Sequence, residues 1–238
     1  NNNQVDKMDI AIRLLMEVTQ EALMDARINI PELRGSDTGV YVGHCFSDYL
    51  SQVTRDKNLS GYELVNGAHS MAANKISYFY DLKGPSIVYD TACSSSCAAL
   101  HSAMSDLRTG VIDRAIVSGI SLTIDPSKNA TFNAFSMLSP AGVCYSFDER
   151  ANGYCRSEAI ATIILERGQV CGNIGICEMI SSSINSDGYT PKGITFPSNE
   201  QQSSNAKRAF GAEHASTKVD HTKITYIEAH GTGTVAGD

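Results

Sequence analysis

Apolar positions recur along this chain at two spacings. In "MDIAIRLLMEVTQEALMDA" (8–26), Ile12, Leu15, Met16, Val18 and Leu23 fall at helical intervals, which predicts an amphipathic helix. "TGVYVGH" (38–44) is a short apolar run bounded by polar residues and predicts a strand. A second helix is predicted over about 66–79, and Gly84-Pro85 breaks the chain before the strand "SIVYD" (86–90). From Ser94 to about Leu107, small residues interleaved with Leu100, Met104 and Leu107 predict a helix that ends near Gly110. Strands are then predicted at "RAIVSGI" (114–120), "AIATIIL" (159–165), "GICEMISSSI" (175–184) and "KITYIEAH" (223–230), with a helix near 200–210.

Helix and strand alternate, and the strands are continuous apolar runs. Both features point to an α/β layered architecture whose sheet is covered on its faces. In such sheets ligands gather beyond the carboxyl ends of strands. "SIVYDTAC" and "ITYIEAHGTGT" each place a chemically capable residue at such an end. Composition marks no domain boundary, since no repeat, low-complexity segment or Pro/Gly linker interrupts the chain.

Charge narrows the partners. With 19 basic and 26 acidic residues the net charge is -7, spread without long runs, so nothing attracts nucleic acid or an anionic membrane surface. No apolar run reaches the roughly 20 residues of a membrane helix. The start "NNNQVDKMDI" has no signal-peptide character, which makes a cytoplasmic address the expectation. The seven cysteines (45, 93, 97, 144, 155, 171 and 177) form no paired CxxC units with histidine, so no metal site is expected and most are expected to be reduced packing residues.

Cys93 and His230 stand apart. Cys93 falls where a strand turns into a helix, and the free N–H groups and dipole of a helix start stabilise negative charge on sulfur. Ser94, Ser95, Ser96 and Ala98 leave room beside it. Cys97, one turn on, is expected to pack inside. His230 opens "HGTGT", where Gly231 and Gly233 permit unusual dihedrals and Thr232 and Thr234 bring hydroxyls, a loop built around an imidazole that can donate to an oxygen. His44, His69, His101, His214 and His221 have no comparable context and are expected to be core or surface residues.

Together "DTACSSS" and "EAHGTGT" resemble the two signature segments of the β-ketoacyl synthase family, the condensing enzymes of fatty acid and polyketide assembly. "GPSIVYDTACSSS", "MLSPAGVCYSFDERANGYCRSE" and "NSDGYTPKGITFPS" are similar to the family as well, so the resemblance covers nearly the whole chain. "FDERANGYCRSE" (147–158) and "GITFPS" (193–198) resemble most the synthase domain of animal-type multifunctional fatty acid synthases and their polyketide-synthase relatives. The resemblance implies a thiolase-like α-β-α-β-α fold, with residues 1–168 in an N-terminal half and 169–238 opening a C-terminal half. It also implies that Cys93 takes an acyl chain from an acyl carrier protein. His230 would stabilise the enolate formed when malonyl-carrier protein loses carbon dioxide, and the backbone N–H of Cys93 would serve half of an oxyanion hole. No cofactor is implied in the domain; the substrates ride on the phosphopantetheine of the carrier, and the intact enzyme is a homodimer. Asp148, Arg156 and Glu158 are expected to form structural ion pairs.

The family places a second catalytic histidine, a lysine and a glycine-rich loop after "HGTGT", and none stands in this sequence. "KMDIAIRLL" (7–15) has Ile10 where the family tends to proline. The expectation is a fragment of a larger polypeptide, inactive and poorly folded by itself. Competing readings are a noncatalytic synthase-like partner, which would lack the cysteine, a thiolase-fold enzyme acting on coenzyme A esters, which "HGTGT" disfavours, and a cysteine hydrolase, for which no residue around His230 offers an orienting partner.

Overall fold

A computed structural model of the chain describes residues 5, 7–49, 53, 61–168, 175–211 and 220–238. They fall into two compact units, Asn1–Asp125 with Ser157–Ile174 and Pro126–Arg156 with Gly175–Asp238.

The first unit is a covered sheet. Helix α1 (Ile10–Asp25) starts at Asp9, whose Oδ1 accepts the Ala11 N–H at 2.9 Å, and it buries Ala11, Ile12, Leu15, Thr19 and Leu23 on one stripe. A single turn, α2 (Ile30–Leu33), precedes strand β1 (Gly39–His44), which is buried at every position. Helices α3 (Tyr62–Gly67) and α4 (Met71–Tyr80) lead to β2 (Ser86–Tyr89), a 3-10 turn (Ala92–Ser94) and helix α5 (Ser95–Thr109). Gly110, at φ 74°, closes α5 in the left-handed conformation that glycine tolerates best. Strands β3 (Arg114–Ser121) and β4 (Ala159–Glu166) complete a sheet of order β2-β1-β3-β4. β1 runs parallel to β2 and β3, and β4 is antiparallel to β3.

Alternate side chains of β1 and β3 feed two cores. Val40, Val42, Ile116 and Ile120 meet Ile12, Leu15, Ile76 and Tyr80 of α1 and α4 on one face. Tyr41, Ala115 and Val117 meet Ala99, Ala103 and Leu107 of α5 on the other. Each valine, leucine or isoleucine among them contributes ~1.5–3 kcal/mol on burial. This is the α/β layering that the alternation predicts, with β4 the exception. Exposed and half-buried positions alternate at its start, and Ile163 is 47% exposed. No described helix is long and apolar enough to cross a membrane.

The second unit holds two helices among its described residues, α6 (Pro126–Ala134) and α7 (Asn199–Phe210), the latter capped by Ser198. Here two predicted strands fail. Residues 175–184 contain no strand, only one isolated bridge position, and 224–230 run without a ladder after a 3-10 turn at His221–Lys223. Ile176, Tyr226 and Ile227 are 96%, 75% and 76% exposed. An apolar run becomes a strand only when another strand pairs its backbone along a ladder, and no ladder forms on either run among the described residues. The helix predicted over 66–79 is in fact two, because Ala68 is extended (ψ 137°) directly after Gly67, a poor helix former. Helices α2 and α6 went unpredicted; both carry proline in the first turn, the one signal available.

Candidate active site

The chain leaves β2 at its carboxyl end and reverses sharply before α5. Ala92 adopts φ 54°, a left-handed conformation that costs an alanine energy, so the surrounding bonds must hold it. They are dense. Asp90 Oδ1 accepts the Ala92 N–H at 3.2 Å, and the Ser94 hydroxyl donates to the Thr91 carbonyl at 2.8 Å. Ser95 Oγ accepts the Thr91 N–H at 2.9 Å while donating to the Ala92 carbonyl at 2.6 Å. Cys93 therefore sits exposed on a fixed turn at the start of α5.

Two glycines bring the first turn of α5 down onto the sheet. Gly43 of β1 pairs with Tyr89 of β2 and with Gly119 of β3, so the two glycines lie side by side on adjacent strands. A Cβ on Gly43 would stand 2.4 Å from the Ser96 amide nitrogen and 2.6 Å from the Ser95 carbonyl carbon; on Gly119 it would meet Ser96 Cβ at 3.0 Å. Backbone replaces side chain at this spot, and the thiol is placed by that contact.

His230 lies in the second unit, exposed, at the start of a loop folded on the segment 144–153. The Ser146 hydroxyl donates to the Gly231 carbonyl, and the Gly153 N–H donates to the Gly233 carbonyl at 2.9 Å. Gly233, at φ 69°, would press a Cβ to 2.8 Å from the Tyr145 nitrogen. Asp238 ties the two strips together. One carboxylate oxygen accepts the Phe147 N–H at 3.0 Å and the Gly233 N–H at 2.9 Å, and the other takes the Thr232 hydroxyl at 3.2 Å. The Phe147 amide first, and the other donors with it, hold this carboxyl below the usual aspartate range.

Several expectations change on contact with the structure. Cys97 is exposed, not packed, because the buried stripe of α5 is Ser95, Ala98, Ala99, Ala103, Met104 and Leu107, and position 97 falls off it. Cys93, Cys144, Cys155 and Cys177 are exposed too and Cys45 is half-buried, so the described cysteines are not the core residues their type suggests; Cys171 lies outside the described residues. His44 is buried and stacked on His69 with ring centroids 4.7 Å apart, as a core residue should be. Asp148 forms a structural ion pair, as expected, with Arg150 at 2.9 Å, and that guanidinium holds its carboxyl well below the usual range. The Glu158 carboxylate accepts the Thr123 N–H at 2.6 Å, and the Arg156 guanidinium lies 4.8 Å from the centre of the Phe132 ring. Ser95, expected only to leave room beside the thiol, is buried and bonded, and Gly43, Gly119 and Asp238 had no place among the expected site residues. Only "SSS" hinted at the first, and nothing in the spacing marks the others.

Known proteins resemble this chain in sequence and fold. The chain is 40% identical over 236 residues to a fatty acid synthase of Anser anser anser, covering 99% of this chain and 66% of that sequence. It is 39% identical over 230 residues to highly reducing polyketide synthase 40 of Fusarium pseudograminearum, of which it spans 9%. A solved ketosynthase from module 6 of the bacillaene synthase of Bacillus subtilis 168 superposes with a TM-score of 0.84 at 35% identity, over 97% of this chain and 39% of that one. The family description "Beta-ketoacyl synthase, N-terminal domain" matches residues 1–170, and "Beta-ketoacyl synthase, C-terminal domain" matches 176–238. On that coverage, with the thiolase-like α/β layering seen in the first unit, the chain belongs to the β-ketoacyl synthase family.

Proposed function

We propose that this chain supplies the acyl-accepting part of a condensing enzyme of fatty acid or polyketide synthesis. The observation that carries the reading is the setting of Cys93: an exposed thiol on a bonded, left-handed turn at the end of β2. Its sulfur attacks the carbonyl of an acyl thioester borne by the phosphopantetheine of an acyl carrier protein, and the carrier thiol leaves with the proton. A malonyl thioester then loses carbon dioxide, and the resulting enolate carbon displaces the Cys93 sulfur. The β-ketoacyl product stays on the carrier and the thiol is regenerated. His230 donates a hydrogen bond to the thioester oxygen as the enolate forms; its exposure on a loop fixed by Ser146, Gly153 and Asp238 suits that role.

The division into a half over 1–168 and the opening of another from 169 belongs to this reading, and the two matched stretches, 1–170 and 176–238, support it. A homodimer of the intact enzyme is part of the same proposal. The outer edge of β2 has no ladder partner among the described residues, and Ile87 on it is 41% exposed. A cytoplasmic enzyme without nucleic-acid or membrane partners agrees with the net charge of -7.

Acyl loading tests the proposal directly. In the intact synthase polypeptide, mass analysis after incubation with an acyl-carrier thioester should find the acyl group on the Cys93 peptide, and Cys93→Ala should abolish it. Undiminished loading of the variant would assign the nucleophile elsewhere.

A further inference from the structure

Ser95 is 5% exposed, and its hydroxyl spans the whole nucleophile turn, taking the Thr91 N–H at 2.9 Å and giving its own proton to the Ala92 carbonyl at 2.6 Å. The Ser95 N–H also reaches that carbonyl. The consequence follows from the peptide plane. In a trans peptide the carbonyl and the next N–H point in opposite directions, so pinning the Ala92 oxygen toward the first turn of α5 turns the Cys93 N–H away from it. The left-handed Ala92 gives the turn a reason to relax if it is released.

We propose that Ser95 is a positioning residue for acyl transfer: it holds the Ala92–Cys93 peptide so that the Cys93 N–H faces the acyl oxygen as negative charge develops there. The inference rests on the reading of Cys93 as the acyl acceptor and adds what aims its amide. Removing the hydroxyl leaves the Thr91 N–H without that acceptor and the Ala92 carbonyl with a single donor, so the donor loses alignment while the thiol keeps its place.

Two reactions of the same sulfur separate aim from access. Acylation by acetyl-pantetheine develops an oxyanion, whereas alkylation by iodoacetamide develops none and does not call on the amide. In the intact synthase, Ser95→Ala should lower the saturating rate of Cys93 acylation about tenfold, the scale of one lost hydrogen bond, and leave the half-saturating concentration and the alkylation rate within about twofold. If Ser95→Ala does not fold, Ser95→Cys replaces it under the same criterion, since sulfur keeps the volume and bonds weakly; peptide masses separate its extra thiol from Cys93. Acylation and alkylation falling in step, or neither falling, overturns the proposal. Failure of the underlying reading is seen separately: wild-type protein would then acquire its acetyl group away from Cys93, and Cys93→Ala would load as well as wild type.

Discussion

In the first unit the turn that carries Cys93 springs from a sheet whose central strand, β1, is buried at all six positions. In the second, the loop that carries His230 rests on another irregular strip, and among its described residues only Ser139, Gly153 and Gly233 are buried. Every buried apolar side chain of the described residues belongs to the first unit. One candidate group thus stands on a hydrogen-bonded turn seated on a packed sheet, and the other on polar bonds to backbone alone. Packing tolerates few changes of shape, whereas a polar clasp is sensitive to the loss of one acceptor and to its state of protonation.

Gly43→Ala strikes the packed side hardest. Its Cβ would lie 2.4 Å from the Ser96 nitrogen, a backbone atom that can yield only if α5 moves. Such overpacking should cost about 1–3 kcal/mol in urea unfolding and slow the acylation of Cys93. Unchanged values in both measurements would mean that the glycine pair does not seat the helix.

Asp238→Asn addresses the clasp. Amide exchange at Phe147 and Gly233 should rise severalfold while α5 stays protected, and equal exchange in the variant would remove the carboxylate from its assigned role. The same protection should depend on pH. The folded carboxyl titrates below its ordinary value of 3.8, so its contribution is complete above that value and is lost as the pH falls through the lower folded one.

Tyr41→Phe is the mildest. Tyr41, fully buried in β1, donates to Asp106 Oδ2 at 2.5 Å, and deleting its hydroxyl should cost about 1 kcal/mol in the same urea measurement. Burial first, and the Asp106 carboxylate second, raise this phenol above its ordinary 10.0, so its contribution is present below that pH and declines as the pH rises beyond it. Between pH 9 and 11, taken as roughly one unit either side of a free tyrosine, the variant should lose less stability than wild type. Parallel losses would remove Tyr41 from the alkaline response.

The four strands of the sheet were legible because their apolar runs are short and bounded, and α1 and α5 because their stripes repeat every three to four residues. The apolar runs at 175–184 and 223–230 looked no different, yet neither forms a ladder among the described residues. Periodicity reports what a segment could bury, not whether a neighbour arrives to cover it. Cys97 failed for a related reason, since residue type says that a thiol is usually inside while helical phase decides which side it faces.

By itself the sequence determined the layered α/β class, the strand-to-turn-to-helix setting of Cys93, the glycine-threonine loop around His230 and the family to which both belong. These are local properties, written in adjacent side chains and their spacing. Only the tertiary structure decided that Gly43 and Gly119 lie side by side beneath Ser96, that Ser95 bridges Thr91 and Ala92, and that Asp238 clasps Phe147 to Gly233. The glycine pair depends on strand register between segments 76 positions apart (119 minus 43), and the other two on which lone pairs meet which N–H groups once the backbone has turned. Neither register nor the direction of a peptide plane is encoded in the pattern of any one stretch.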